Sequence, residues 1–349
     1  MIAPELAAFI RAMPKVELHV HLEGAIEPET VLALAKQNHV RLPADSVEGL
    51  RDWYRFIDFD HFVEVYLTVS ACLARLDDVE RVARDFLAGQ AKQNIRYTEF
   101  TYTAWNHYAR AGWSFADQLA ALNAARYWAA QELGVGSGIV IDIPRIVSAQ
   151  EGLMVADWAI EGMDRGVVAL GLGGPEAGNP PERYADAFER AWEAGLACVP
   201  HAGETAGPES VWGALRTAKA QRIGHGLRAI EDHELSDELV RRQIPLEVCP
   251  TSNVCLAGIP RIAEHPIERM RKMGLFVTLN SDDPALFGTT LTDEYLACVE
   301  AFGWTDHECE ELVLRAAEAS LLPAAERIDL ADTIREECAK LRASVKLKG

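Results

Sequence analysis

Short hydrophobic runs alternate with longer amphipathic stretches along most of the chain. Eight of the runs are rich in apolar and β-branched residues and have the length of buried strands, whereas the stretches between them repeat apolar positions with the period of a helix. The predicted strands are Val16–His21, Ile95–Thr103, Gly138–Ile143, Val167–Leu172, Ala197–Ala202, Arg222–His225, Leu246–Cys249 and Phe276–Asp282. The predicted helices between them include Val79–Gln93, Phe115–Glu132, Pro181–Glu193, Pro208–Ala220 and Pro266–Met273.

Strands that alternate with helices form a parallel sheet joined by right-handed crossovers, and eight such strands can close into a barrel. We therefore predict one α/β domain over residues 1–349, a (β/α)8 TIM-type barrel with its core at about 14–290 and outer helices over 291–349. An open, doubly wound sheet is the alternative fold. No GxGxxG sequence follows the first predicted strand, so a dinucleotide-binding version of that fold has no local support.

The segment 27–94, between the first two predicted strands, is far longer than a simple connection. Two parts of it, Thr30–His39 and Asp58–Leu76, repeat apolar positions with the helical period. We expect these parts to form extra helices that cover the mouth of the barrel.

The composition is that of an ordinary globular protein with an acidic surface. The chain has 53 Asp and Glu residues against 34 Lys and Arg residues, which gives a formal net charge of −19. Because such a surface repels nucleic acid and anionic lipid over long range, we predict neither a nucleic-acid partner nor a membrane partner. A small neutral substrate is compatible with this charge, and the acidity is equally explained as a feature that keeps the protein in solution.

The cysteines and the N-terminal segment predict a cytoplasmic protein. Seven cysteines are present, an odd number, and no CxxC pair occurs, which is typical of a reduced protein rather than of a disulfide framework. Glu5, Arg11 and Lys15 interrupt the apolar residues that a signal peptide would need. No apolar run approaches the ~20 residues that span a bilayer.

Polar residues able to bind a metal ion or move a proton lie at the ends of four predicted strands. In a (β/α)8 barrel the active site forms where the carboxyl ends of the strands meet, so we expect these side chains to converge. They are His19 and His21 on the first strand, His201 and Glu204 after the fifth, His225 on the sixth, and Asp282 and Asp283 after the eighth.

The spacing His19-x-His21 places two imidazoles on the same side of a strand, where both can bind one metal ion. His201 and Asp282, from other strand ends, would complete a nitrogen-rich site suited to zinc, with one position open for water. An isolated HxH sequence is a weak signal and often marks only two polar residues at a strand end. The joint pattern at several strand ends is more specific, so we predict one Zn2+ per chain.

The distribution of lysine argues against a second metal ion. Two-metal sites in hydrolytic barrels are commonly bridged by a carboxylated lysine near the middle of the barrel. This sequence has no lysine between Lys92 and Lys219, so the third and fourth predicted strands supply no such bridge.

One zinc ion at this position predicts hydrolytic chemistry on a ring carbon. Zinc lowers the pKa of bound water to about 7, which makes hydroxide available at neutral pH. Glu204 is the candidate acid that protonates the ring nitrogen beside the attacked carbon, and His225 is the candidate group that orients or deprotonates the water. Asp283 is placed to form a hydrogen bond at the ring. Alternatively, Glu204 caps the helix that begins at Pro208 and His225 is a core residue with satisfied hydrogen bonds.

Five segments in the same order resemble the adenosine/adenine deaminase family of metal-dependent hydrolases. The resemblance extends from the first predicted strand to the end of the eighth, and five ordered motifs make it specific. The segments are Pro14–Gly24, Val199–Glu204, Arg222–Gly226, Glu247–Asn253 and Leu279–Pro284.

The resemblance implies a (β/α)8 barrel that holds one zinc ion, with Glu204 protonating N1 of a purine and His225 handling the hydrolytic water. It implies that Asp283 contacts purine N7 and that the backbone at Gly174 meets N3. Glu23 and His21 complete the expected substrate-binding set. The ligands implied for zinc are His19, His21, His201 and Asp282.

Two features differ from typical adenosine deaminases. Glu23 stands where those enzymes carry an aspartate that contacts the ribose 5′-hydroxyl, and the segment Gly171–Pro180 departs from their usual Gly-Asp-Glu form. Both features look more like divergent bacterial branches, which include adenine deaminases and 6-aminodeoxyfutalosine deaminases. The sugar side of the substrate therefore stays open. No cluster of Arg and Lys near the motifs would hold a 5′-phosphate, which disfavours a nucleotide.

We therefore expect a zinc-dependent hydrolase that deaminates a small 6-aminopurine nucleoside, either adenosine or 6-aminodeoxyfutalosine. Adenine is the alternative substrate. Hydrolysis of an ester, lactone or amide is a second enzymatic possibility, but it often needs a second metal ion. A non-catalytic barrel that keeps zinc and binds purines is the third, and Glu204, His225 and Asp283 argue against it because a purely structural zinc site has no use for them.

Overall fold

Eight parallel strands form the centre of the protein in a computed structural model that describes residues 2–345. Each strand pairs with its neighbours in chain order. The bridge between Val20 and Asp282 joins the last strand segment to the first and closes the barrel. The predicted (β/α)8 barrel is thus confirmed. The strands are β1 (Lys15–His21), β2 (Ile95–Tyr102), β3 (Gly136–Pro144), β4 (Val167–Gly173), β5 (Ala197–Ala202), β6 (Ile223–His225), β7 (Leu246–Val248) and β8 (Val277–Leu279).

Helices surround the strands and cover both ends of the barrel. The helices are α1 (Pro4–Ala12), α2 (Pro28–Gln37), α3 (Val47–Trp53), α4 (Phe59–Ala71), α5 (Leu76–Lys92), α6 (Ala104–Ala111), α7 (Phe115–Glu132), α8 (Ala149–Glu161), α9 (Ala185–Glu193), α10 (Pro208–Arg216), α11 (His233–Arg242), α12 (Pro250–Leu256), α13 (Ile267–Lys272), α14 (Pro284–Phe287), α15 (Leu291–Phe302), α16 (Asp306–Ala319) and α17 (Ala324–Val345). Within the described residues, no helix is both long enough and apolar enough to cross a bilayer.

Several predicted elements are longer than the observed ones. The eighth predicted strand extends to Asp282, but β8 ends at Leu279, and Asp282 adopts a left-handed conformation with φ of 65°. The predicted helix Asp58–Leu76 is interrupted after Ala71, and α5 begins afresh at Leu76. These differences do not change the order of the elements.

The segment between β1 and β2 covers the carboxyl end of the barrel, as expected. Phe59, Phe62, Val63 and Tyr66 on α4 line the cavity above the strand ends. The opposite end is closed by α1, α16 and α17, whose apolar side chains form one buried cluster with the first residues of β1. The barrel mouth is therefore the end at which a ligand can enter.

Candidate active site

The four predicted metal-binding side chains meet at the carboxyl end of the barrel. Their candidate ligand atoms all lie within 4.8 Å of one another. Nε2 of His21 is 3.2 Å from Nε2 of His201, and Oδ1 of Asp282 is 3.3 Å from Nε2 of both His19 and His21. A strand-end carboxylate and three imidazoles from β1 and β5 thus face one point.

The chemistry of this cluster fits a divalent metal ion. Nε2 of His19 is buried and makes no hydrogen bond with any described residue, an arrangement that is costly for a polar atom unless a ligand completes it. Burial and the neighbouring His19 and His21 hold the pKa of His201 well below its usual value, so this imidazole is neutral and keeps a lone pair free for a metal. Three nitrogens and one carboxylate oxygen are a donor set that zinc accepts.

A buried chain of charged side chains extends from Nδ1 of His19. Nδ1 of His19 is 2.8 Å from Oε2 of Glu247, and Oε1 of Glu247 is 2.6 Å from Nε of Arg222. The Nη2 atom of Arg222 is in turn 2.6 Å from Oε2 of Glu99. Sequence reasoning missed these three residues as site components, although the placement of Glu247 between the apolar Leu246 and Val248 is a signal of such a role.

Glu204 and His225 lie beside the metal-binding cluster. Nε2 of His225 is 3.7 Å from Oε2 of Glu204 and 3.9 Å from Oδ2 of Asp282. Burial, reinforced by the carboxylates of Asp282 and Glu176, raises the pKa of Glu204 well above its usual value, which favours the protonated form that can act as an acid. His225 and Asp282 have φ of 61° and 65°, in the left-handed region that non-glycine residues adopt uncommonly.

Asp283 points its carboxylate against the turn that follows β1. A Cβ atom on Gly24 would lie only 1.7 Å from Oδ1 of Asp283, so a glycine is required there. Oδ1 is buried and has no hydrogen-bond partner among the described residues. Burial and the neighbouring Asp282 raise the pKa of Asp283 well above its usual value. Asp283 therefore offers either a donor or an acceptor to a bound molecule.

Glu23 is the predicted site residue that the structure does not bring to the cavity. Its side chain is fully buried, and Oε1 accepts a hydrogen bond from the backbone N–H of Thr103 at 3.1 Å and lies 3.3 Å from Nε2 of His107. Asp142, which sequence reasoning missed, does line the cavity, and burial raises its pKa to about 6. A lone carboxylate in an otherwise apolar strand was the signal for Asp142.

The cavity above the cluster encloses about 730 Å³ of space when the part that is open to solvent is included. Its floor is polar and its wall on α4 is apolar. Gly174, with φ of 93°, forms part of one side. Of the described residues that line the cavity, Arg145 is the single Lys or Arg, and its guanidinium donates to the backbone carbonyl of His201 at 2.6 Å. The lining therefore lacks a free cation cluster for a phosphate.

Comparisons with known proteins agree with this geometry. The model of the adenosine deaminase family matches residues 14–337. The chain is 39% identical over 333 residues to an aminodeoxyfutalosine deaminase of Streptomyces coelicolor, covering 95% of this chain and 86% of that protein. It is 38% identical over 314 residues to an adenine deaminase of Pseudomonas syringae pv. syringae, covering 90% of this chain and 98% of that protein.

Solved structures extend the similarity to three dimensions. An adenine deaminase from Arthrobacter aurescens superimposes with a TM-score of 0.89 at 33% identity, covering 93% of this chain and 99% of that one. An amidohydrolase from Burkholderia ambifaria with bound Zn superimposes with a TM-score of 0.91 at 25% identity, covering 99% and 96%. The match of the family model over most of the chain and these relatives together show that the chain belongs to the adenosine deaminase family.

Proposed function

We propose that this protein catalyses zinc-dependent hydrolytic removal of the 6-amino group from a 6-aminopurine nucleoside, with one zinc ion per chain. The observation that carries the proposal is the convergence of four candidate metal-binding atoms beside the buried carboxyl group of Glu204, whose pKa is raised, at the floor of a cavity. The zinc bound to the amidohydrolase from Burkholderia ambifaria supports this choice of metal. The ligands would be His19, His21, His201 and Asp282.

Different residues around the metal position would carry out different parts of the deamination. Zinc held there would supply a hydroxide nucleophile at neutral pH. Glu204, protonated and buried, would donate its proton to N1, so that the ring can accept electrons when C6 is attacked. His225 would face the attacking water from the other side. The amino group would then leave as ammonia, and the product would be a 6-oxopurine.

The remaining contacts would hold the purine ring in the plane that this attack requires. Asp283 would donate a hydrogen bond to N7, and the backbone at Gly174 would meet N3. His21 lines the same cavity and would also touch the ring. Glu23 belongs to a buried pair with His107, so we do not assign it a direct substrate contact.

We favour a nucleoside over a free base as the substrate. The apolar residues on α4 that line the cavity, which include Phe59, Phe62 and Leu67, offer a surface in addition to the polar floor. The relationship to an aminodeoxyfutalosine deaminase supports 6-aminodeoxyfutalosine, and adenosine is the simpler nucleoside of the same class. Adenine is the second candidate, because relatives of nearly equal identity are adenine deaminases.

We also propose that the protein acts in the cytoplasm on a small molecule. All seven cysteines are unpaired and six of them are buried, which agrees with a reducing compartment. The net charge of −19 disfavours a polyanionic partner.

The direct test is incubation of the zinc-loaded protein with 6-aminodeoxyfutalosine, adenosine and adenine side by side. Ammonia release and the change in purine absorbance should appear with at least one of them, and the ratio of kcat/KM values identifies the substrate. The Glu204→Gln variant is the control for contaminating deaminases. If none of the three releases ammonia, the proposal is wrong, and two metal ions per chain would contradict the single-metal site.

A further inference from the structure

A buried hydrogen-bond chain leads from a backbone amide to His225. The chain begins at Ile267, whose backbone N–H donates to Nδ1 of His265 at 3.1 Å. A backbone N–H can only donate, so Nδ1 of His265 must carry a lone pair. Burial, with a smaller effect of His225, lowers the pKa of His265 to about 3, which keeps this ring neutral. The single ring proton of His265 therefore lies on Nε2.

The proton on His265 fixes the orientation of an asparagine. Nε2 of His265 is 3.2 Å from Oδ1 of Asn253, so the amide oxygen of Asn253 accepts the hydrogen bond. The amide nitrogen of Asn253 consequently faces Nδ1 of His225, at 3.2 Å. Asn253 is fully buried and His225 is 1% exposed, so no water competes for either contact. An amide nitrogen donates, which assigns the lone pair of His225 to Nδ1.

We propose that Asn253 and His265 are positioning residues that keep the lone pair of the His225 ring on Nδ1 and a ring proton on Nε2. Nε2 of His225 faces the space between Glu204 and Asp282, at 3.7 Å and 3.9 Å from their oxygens. The hydrogen bonds of Asn253 leave no second arrangement, because reversing its amide would set two donors against each other at His265. His265, at the far end of this chain of hydrogen bonds, is held by the backbone N–H of Ile267.

This assignment decides between the two roles considered for His225, which are to orient the water and to remove its proton. It rests on the proposed deamination, and it makes His225 a hydrogen-bond donor on the side where the water must lie. A donor orients a water molecule or hydroxide but cannot take its proton. His225 would therefore orient the nucleophile, and Glu204, whose Oε2 is 3.7 Å from Nε2 of His225, would keep its role as the acid toward N1.

The ring proton of His225 can be located without any enzymatic assay. The zinc-loaded protein, labelled with ¹⁵N at its histidines, gives ring nitrogen signals that distinguish a protonated from an unprotonated nitrogen. The signal of His225 is identified by its loss in His225→Gln. We expect protonated Nε2 and unprotonated Nδ1 in both His225 and His265. A proton on Nδ1 of His225 in the wild-type protein overturns the proposal, whatever the substrate is.

The Asn253→Asp variant removes the hydrogen-bond donor that faces Nδ1 of His225. A carboxylate at position 253 only accepts, so it should place a proton on Nδ1 of His225. We expect kcat to fall by at least about 100-fold with KM changed less than about threefold, because a catalytic histidine in the wrong tautomer retains its place but not its function. The replacement preserves side-chain size, so a merely structural role predicts little change in the ring signals.

Asn123→Asp is the matched control. Asn123 lies on the outer helix α7 and its amide donates to the carbonyl of Arg165 at 2.9 Å, far along the chain from the active site. This variant should leave both the His225 signals and kcat unchanged. Unchanged His225 signals in Asn253→Asp would contradict the proposal, and if that variant does not fold, the wild-type spectrum decides. Absence of deaminase activity in the wild-type protein instead contradicts the proposed function alone.

Discussion

The carboxylate of Glu247 accepts a hydrogen bond from Nδ1 of His19 at 2.8 Å, and both side chains are 3% exposed. This bond leaves the lone pair of His19 on Nε2, the atom that faces the metal position. Burial alone would raise the pKa of Glu247, but Arg222 and His19 outweigh it and hold the pKa below its usual value. Glu247 is therefore an anion that orients a candidate metal ligand and increases its basicity.

Glu247→Gln should weaken zinc binding by about 10–100-fold, the usual cost of losing a partner that orients a metal-binding histidine. Competition with a chromophoric chelator measures the dissociation constant directly. Glu337→Gln is the control, because Glu337 also pairs with an arginine, Arg96 at 2.8 Å, but at the outer surface of β2. Equal zinc affinity in both variants would show that Glu247 serves only the fold.

Glu204→Gln should lower kcat by at least about 100-fold, because an amide has the size of the acid but cannot deliver a proton to the ring. Its zinc content, measured by elemental analysis, should remain near one per chain. Loss of the metal instead would place Glu204 among the ligands. Glu209→Gln, in which the lost carboxylate accepts a local hydrogen bond from Gly207 at 3.0 Å, should keep wild-type kcat.

The turn that carries Glu204 is organised by a single carboxylate. Oε1 of Glu176 accepts from the backbone N–H of Gly203 at 2.6 Å, and Oε2 accepts from those of Glu204, Thr205 and Ala206 at 3.1, 2.8 and 2.9 Å. Burial opposes the charge on Glu176, but these contacts, with Ser210 and Arg145, outweigh it and lower its pKa. The same loop contributes Gly174 to the cavity, so one segment both lines the cavity and holds the turn that carries Glu204.

Glu176→Gln should lower kcat by about 100-fold with a smaller change in KM, because an amide presents donors to amides and displaces the turn that positions Glu204. Asp78→Asn is the matched control. Asp78 is another buried carboxylate that accepts backbone amides, from Ala74 and Arg75 at 3.1 and 3.0 Å, but it supports the start of α5. Both variants should melt at lower temperature, and only Glu176→Gln should lose kcat. Equal losses of kcat would indicate a general effect on stability.

The order of strands and the polar residues at their ends could be predicted from the sequence, because both depend on local patterns. His19 and His21 share one strand and a two-residue spacing, and the barrel rule then places His201 and Asp282 near them. The conformation of Asp282 could not be predicted. Its left-handed backbone depends on the bridge to Val20, a contact between residues that are far apart in sequence.

The partners of the supporting residues could not be predicted from the sequence, for the same physical reason. Glu247 and Asn253 lie in a segment that the family resemblance already marked, but their roles depend on partners contributed by β1, β6 and the start of α13. Glu23 depends on a distant partner in the same way. It follows the HxH sequence closely, yet its carboxylate turns to His107 on α6, a residue that no local pattern connects with it. The role of each of these side chains depends on a partner far away in the sequence, which the periodicity of the sequence does not reveal.

His265 should make the stability of the metal-free protein fall in mild acid. Burial lowers its pKa in the folded state to about 3 from the usual 6.5. Between these two pH values the unfolded chain therefore binds a proton at His265 that the folded protein does not bind. The contribution is complete above about pH 6.5 and declines toward about pH 3, with a slope of about 1.4 kcal/mol per pH unit. In His265→Asn the amide oxygen can still accept from Ile267, but nothing titrates. Urea unfolding at several pH values measures this effect. The variant should lose less stability than the wild type between about pH 6.5 and 4.5. Equal losses in the two proteins would mean that His265 is protonated in the folded state.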